Sequence, residues 1–301
     1  MKFTKLILPS LLCLAGASSH ASALLAPEVG SFAVLSATTV TNTGATTLTG
    51  NLGVSNNSSI TGITGFFGTL SNDGPGIANG YVHQGDAYAT LANSQLMSAK
   101  NNLAMMGAGT TLSADLTGLT LTPGTYTVLA GTSNLTGALT LDGGGNANAY
   151  WVFQLPSTLI TSSSSFVNVI NTGSGAGLYW NVGSSATLGE NSSFQGNILA
   201  SASVTMNNGV SIACGRALAH TGAVTMINDT VNAGNCRGTV AAGSNGLSGG
   251  LFVDANGGAP QALAFTPVSS VPEPETYAML LAGLGLIGAA VKRARPSAHK
   301  R

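Results

Sequence analysis

Ala186-Thr187-Leu188 recurs as Val204-Thr205-Met206 and again as Val224-Thr225-Met226. Beside it, Phe194-Gln195-Gly196-Asn197-Ile198-Leu199-Ala200 returns as Ile212-Ala213-Cys214-Gly215-Arg216-Ala217-Leu218-Ala219, with one residue slipped in. The threonines lie 18 and 20 residues apart (187, 205, 225), and the glycines of the second motif 19 apart (196, 215). A period this short is too small for a helical repeat and fits one turn of a β-solenoid with three short strands. Within each triplet the apolar residues flank the threonine, so alternation along a strand turns them inward and the threonine outward. Stacked turns then place Thr187, Thr205 and Thr225 in one column, about 4.8 Å apart. A flat, uncharged, regular array suits a partner that is itself regular.

Neither end of the chain shares this texture. Residues 1–23 read as a secretory signal peptide: Lys2 and Lys5 form the positive region, Leu6 to Gly16 the apolar region, and Ala21-Ser22-Ala23 the cleavage site. At the other end, Val271-Pro272-Glu273-Pro274-Glu275 precedes an apolar run from Tyr277 to Val291 and then Lys292-Arg293-Ala294-Arg295. Residues 277–291 predict a short transmembrane segment whose basic flank stays in the cytoplasm. This three-part tail, residues 271–301, resembles the PEP-CTERM sorting signal of Gram-negative bacteria. The resemblance implies a sorting protease (exosortase) acting at Pro272, Glu273 and Pro274, transient anchoring in the membrane, and a final place outside the cell or at its surface.

The body between these ends is long enough for one domain with a sizeable core. From Leu24 to Ser270 it carries Lys100, Arg216 and Arg237 against Glu28, Asp73, Asp86, Asp115, Asp142, Glu190, Asp229 and Asp254, so 3 − 8 = −5. Three scattered cations cannot neutralise a phosphate backbone, which excludes nucleic acid as a partner. The chain is 44% hydrophobic with alternating runs, so its Gly, Ser, Thr and Asn content does not signal disorder. Cys214 and Cys236 form an even pair in an exported body, and a disulfide between them is the simplest expectation. His83 and His220 lack ligand-like spacing, so neither a metal nor any other cofactor is expected.

Short strands punctuated by Gly and Asn run from Ser31 to Ile63. The texture then changes at Asp86. Tyr88, Ala92, Leu96, Ala99, Leu103 and Met106 recur at helical steps, predicting one helix over about 86–106 with Asp86 as its N-cap and Gly107 as its stop. Strand patterns resume at Leu112. Trp151, Phe153, Tyr179 and Trp180 are expected in the core or packed on a face. Residues 24–240 thus form the predicted domain, and 241–270 a final strand or two and a spacer.

The wording of the pieces carries a second resemblance. Phe32-Ala-Val-Leu35, Thr39-Val-Thr-Asn-Thr-Gly44, Gly50-Asn-Leu-Gly-Val54, Leu121-Thr-Pro-Gly-Thr-Tyr126, Leu141-Asp-Gly-Gly-Gly145, Trp151-Val-Phe-Gln154, Trp180-Asn-Val-Gly-Ser-Ser-Ala-Thr-Leu188, Gly196-Asn-Ile-Leu-Ala200 and Gly215-Arg-Ala-Leu-Ala219 occur in order. From about Ala26 to Val231 the chain resembles the microbial ice-binding (ice-binding-like adhesion) domain. The resemblance implies a mostly β fold, a right-handed irregular β-solenoid of triangular section with one long helix packed alongside, and binding of ice through one flat face. It also implies a Thr-Ala/Gly-x-Thr/Asn pattern on that face, which Thr43-Gly44-Ala45-Thr46 fits. In later turns the pattern departs to Glu190-Asn191-Ser192-Ser193, Asn208-Gly209-Val210-Ser211 and Asn228-Asp229-Thr230. Solvated carboxylates at Glu190 and Asp229 would hold water away from a lattice arrangement.

Two outward columns are therefore candidates for the ice face: Thr187, Thr205 and Thr225 on a strand, and Ser193, Ser211 and Thr230 with Thr46 beside a turn, joined by Thr43 and Asn208. The expected function is an exported, monomeric, antifreeze-like protein that inhibits ice recrystallisation. The alternative is a structural or adhesive protein of the extracellular matrix or cell surface, with polysaccharide as its partner. Catalysis is not expected: the acids form no local pair for glycoside hydrolysis, and neither body His sits beside an obvious partner in the sequence.

Overall fold

A computed structural model describes residues 22–56, 59–68, 73–234, 246–254 and 258–268, together with 281, 282 and 284. Met1–Thr266 forms one compact unit and Pro267–Arg301 a second. The first unit is mostly β with two helices, Pro27–Ser31 (α1) and Ala87–Met105 (α2). The short α1 is absent from the sequence expectation, because Pro27 and Glu28 at its start are helix signals too brief to form a periodic stripe.

Parallel strands stack coil upon coil. One coil runs Gly177–Val182, Ala186–Leu188 and into Ser193–Ala200, and the next continues to Val204–Met206 and Ser211–Ala219. The middle strands build a six-stranded, wholly parallel sheet, and the others join a fifteen-stranded sheet. The large sheet turns a corner within single strands. Ser193–Ala200 pairs with Phe166–Thr172 at its start and with Gly177–Val182 further on, and its register against the next coil shifts between Phe194 and Gly196. Gly196, at φ 90°, and its partner Gly215 make that shift feasible: a Cβ on Gly215 would sit 1.7 Å from the Gly196 carbonyl oxygen. The repeated Gly-x-x-Leu-Ala motif is thus the signature of a corner. With two principal sheets, one bent and one closing a barrel-like side, the section is not the clear triangle implied by the family resemblance.

Coil order in space differs from order in sequence. The N-terminal coil lies against the last repeated one, pairing Val34 with Ala217, Val40 with Val224 and Thr47 with Thr230. Strands Ile60–Thr61, Ile63–Gly68 and Gly76–Gln84 stack beyond it. Helix α2 then carries the chain back along the stack to Thr110–Leu112, the far edge strand. Its 19 residues span roughly 28 Å, nearly six strand spacings.

The coil interior is filled by side chains from both sheets. Tyr126, Phe153, Trp180 and Phe194 stack through successive coils at 5.7, 4.2 and 4.8 Å between ring centroids. Both buried indoles donate to backbone oxygens, Trp151 to Leu121 and Trp180 to Gln195. A second apolar layer lies between α2 and the sheet, where Ala92, Leu96, Ala99 and Leu103 meet Phe32, Leu35, Val152, Tyr179, Leu199 and Leu218. Asp86 caps α2 by accepting from the Ala89 N–H. Cys214 is buried in the coil interior. Cys236 lies outside the described residues, and so does the expected pairing.

Two of the three body cations are internal. The Arg216 guanidinium, 1% exposed, donates to Gly30 and Ala233 carbonyl oxygens and to Asn197 Oδ1, tying α1 to the coils. Lys100, 7% exposed, sits on the buried side of α2 and spends its three donors on Asn181 Oδ1, Val182 O and Leu199 O at 2.8–2.9 Å. Burial pushes its ammonium down to about 8. The native state then binds fewer protons than the unfolded one between about pH 8 and 10.5, so the cost of burying the charge is present below pH 8 and relieved as pH rises. Melting curves should therefore show Lys100→Met losing a pH 8-to-10 stabilisation that the wild type has. Lys100→Ala should cost about 3 kcal/mol, because three acceptors lose their donor.

Asp229 is the converse case. Its side chain is fully buried at a coil corner, accepting from the Val210 and Ile227 N–H groups while its own N–H donates to Thr46 Oγ1. Burial pushes its carboxyl up to about 7. The folded protein then holds a proton that the unfolded chain releases near pH 3.8, so this contribution is complete at low pH and lost as pH rises through 7. Asp229→Asn should remove the part of the pH 5-to-7.5 fall in melting temperature that Asp229 causes. An unchanged slope in that variant would contradict this assignment.

Candidate functional site

The six-stranded sheet carries threonine at the middle of its outer face on five of its six strands. Thr187 is in register with Thr205, Thr205 with Thr225, Thr225 with Thr41 and Thr41 with Thr61. Ile160 precedes Thr187 at one end. The predicted column of three is thus a column of five. The two additions escaped the sequence reading because residues 32–61 stack next to residue 224 in space and far from it in the chain. Their signal was present: Val40-Thr41-Asn42 and Ile60-Thr61 have the same inward-Thr-inward phase as Val224-Thr225-Met226. Alternation explains why the flanking residues Ala186, Leu188, Val204, Met206, Val224 and Met226 are all buried.

Beside this column stand Ser185, Ser203, Ala223, Thr39 and Ser59, two residues before each threonine, so the second row carries hydroxyls at every place but Ala223. Their backbones bond across the ladder, Ala186 N–H to Ser203 O, Val224 N–H to Thr39 O and Val40 N–H to Ser59 O. Among the described residues none of the five column hydroxyls bonds to protein, so each is left to water. No register shift interrupts this sheet.

The turn-side column forms only in part. Ser193 pairs with Ser211 and Ser211 with Thr230, as expected, and the column then continues through Thr47 to Ile77. Thr46 is not in it. It is fully buried, its hydroxyl accepting from the Asp229 N–H, because Ala45 inserts one residue into that turn and moves Thr47 into the outward place. Phe166, which precedes Ser193, and Ile77 put exposed apolar side chains at the two ends of the column. Thr43 is exposed at the end of its strand, opposite Ile227 of the six-stranded sheet. Asn208 is exposed at the corner, its Oδ1 accepting from Asn228 Nδ2 at 2.7 Å.

The same corner repeats a left-handed residue in successive coils: Ser164, Asn191, Gly209, Asn228 and Gly44, with φ of 59°, 55°, 77°, 53° and 87°. Asn and Gly are the residues that tolerate this region best, which accounts for the Asn-rich turns. Of the two acids expected to disturb this edge, Glu190 is exposed, whereas Asp229 is internal and bears on stability instead of on the surface. Pro272, Glu273 and Pro274 lie outside the described residues, as does most of 277–291; among the described residues no helix is long and apolar enough to cross a membrane. No group of three or more His, Cys, Asp or Glu among the described residues is arranged to hold a metal ion.

Residues 34–232 match the family described as Ice-binding-like, and residues 270–295 match the PEP-CTERM protein-sorting motif. The chain is 44% identical over 213 residues to an ice-binding protein of Nostoc sp. (strain HG1), covering 70% of this chain and 75% of that one. A crystal structure of an ice-binding protein from the Antarctic ascomycete Antarctomyces psychrotrophicus superposes with a TM-score of 0.62 at 32% identity, covering 72% of this chain and all of that one (100%). An ice-binding protein from an Antarctic biological consortium superposes with a TM-score of 0.60 at 37% identity, covering 70% and 90%. These relatives are named ice-binding proteins. On the strength of a match that takes in most of the chain, this protein belongs to the Ice-binding-like family.

Proposed function

We propose that the protein is exported and binds ice through the outer face of its six-stranded sheet, with Thr187, Thr205, Thr225, Thr41 and Thr61 as the central column. The in-register threonine ladder is the observation that carries this reading. Its repeat of about 4.8 Å along the stack, with roughly 6.6 Å between alternate residues of a strand, makes a two-dimensional array of methyls and hydroxyls. Each threonine offers a methyl group and a hydroxyl, and β-branching leaves its χ1 stiff, so little freedom remains to be lost on contact. Ordered first-shell water costs up to about 2 kcal/mol per molecule when immobilised, so a surface that already orders it binds a crystal with less penalty.

Export is supported by the amino-terminal signal pattern, and processing by an exosortase by the matched sorting motif. That motif also favours a second reading, a matrix or cell-surface component. The turn-side surface of Ser193, Ser211, Thr230, Thr43 and Asn208 is the competing ice face; exposed Phe166 and Ile77 and its shifted register make it the less regular of the two.

Bulky substitutions separate these alternatives. Both side chains point outward, so Thr205→Tyr and Ser211→Tyr should each change stability by less than about 0.5 kcal/mol. Thr205→Tyr is expected to abolish ice-recrystallisation inhibition while Ser211→Tyr retains it. The reverse result moves the face to the turn side. An inactive wild type would reject ice binding in favour of the matrix reading.

A further inference from the structure

The terminal coil exposes an aromatic strip that the threonine sheet does not use. Phe67 and Tyr81 face each other in register, 53% and 57% exposed, with ring centroids 5.6 Å apart. His83, two residues along the same strand, lies 6.3 Å from Tyr81, and Tyr88 of α2 stacks on His83 at 4.5 Å. The inner half of the strip is fixed from several sides. Phe32 packs against both His83 and Tyr88, His83 Nδ1 pairs with the Asp86 carboxylate at 2.7 Å, and the Tyr88 hydroxyl bonds to Ser31. The outer half, Phe67 and Tyr81, offers its rings to solvent. Neighbouring exposed rings on a fixed support mark a contact site more than a stabilising feature.

We propose that this strip is a platform for a neutral polysaccharide chain, whose sugar rings lay their C–H faces on Tyr81 and Phe67. The electron-rich ring faces attract weakly positive C–H groups. Ring separations of 5.6 and 6.3 Å are comparable to one sugar unit of a linear polymer. Charge selects the class: among the described residues the only Lys and Arg are Lys100 and Arg216, both buried, while Asp86 borders the strip. An acidic polymer meets no exposed cation there. The size of the patch argues against a protein partner. Even with Phe66 the exposed rings offer about 400 Å² at most, half of the roughly 800 Å² per partner that a stable protein interface buries.

The test is affinity electrophoresis of the protein as exported, in native gels containing hydroxyethylcellulose, amylose or alginate. At least one of the two neutral polymers should retard the wild type, and alginate should not. Tyr81→Ala and Phe67→Ala, both at exposed positions, should weaken retardation about tenfold, and Tyr81→Trp should preserve it. Recrystallisation inhibition by Tyr81→Ala should equal that of the wild type, which separates failure here from failure of the ice reading. The proposal is overturned if neither neutral polymer retards the protein, if Tyr81→Ala migrates like wild type in them, or if alginate retards it most.

Discussion

The parallel hydrogen-bond ladder, held in register from coil to coil, is the constraint on which the rest of this domain depends. It sets the strand spacing, and so turns a residue type repeated once per coil into a column. It also sets what can be inside. Because each inward side chain lies over its counterpart in the next coil, aromatics stack on aromatics and small residues on small ones, as Tyr126, Phe153 and Trp180 show. A flat outer face follows from a regular interior. The threonine column is as straight as the Val204, Val224 and Val40 column that supports it.

How far the sequence discloses this depends on whether neighbours in space are neighbours in the chain. Coils 186–200, 204–219 and 224–232 follow one another, so their period is visible and the three threonines can be aligned by inspection. The coil at 32–54 joins them only after the chain has closed back on itself, and no local pattern announces that Thr41 pairs with Thr225. The helix was legible from Ala92, Leu96, Ala99 and Leu103, but its docking was not. Asn93 and Lys100 lie on the same buried side and read as ordinary polar positions. Thr46 was misplaced for a related reason: a single inserted residue, Ala45, reverses which of two adjacent threonines points outward, and strand periodicity of two gives no tolerance for that.

Charge in this body is structural before it is superficial. Lys100 holds the helix to the sheet, Arg216 joins α1 to two coils, and Asp229 gathers two backbone N–H groups at a corner. Each is costly to bury and satisfied by carbonyl, amide or N–H partners within the fold. The outward side chains of the six-stranded sheet, for their part, are threonines and two isoleucines and so carry hydroxyls and methyls alone. Such a face holds water without the strong, disordering orientation that an exposed carboxylate or ammonium imposes.

The last described segment of Met1–Thr266 docks away from the threonine face. Thr266 accepts from the Ala147 N–H, Asn148 Nδ2 donates to the Ala264 carbonyl, and Leu263 N–H bonds to Gly250. Ala147 and Asn148 lie in the loop between Ala138–Asn146 and Tyr150–Leu155, two strands of the fifteen-stranded sheet. The last contacts of Met1–Thr266 are therefore made away from the six-stranded sheet. The aromatic strip on Phe67, Tyr81, His83 and Tyr88 also draws on the large sheet and on α2. Among the described residues of Met1–Thr266, the final segment and α2 both make their contacts away from the six-stranded sheet. A regular surface that the domain's own helix leaves bare is what contact with a crystal requires.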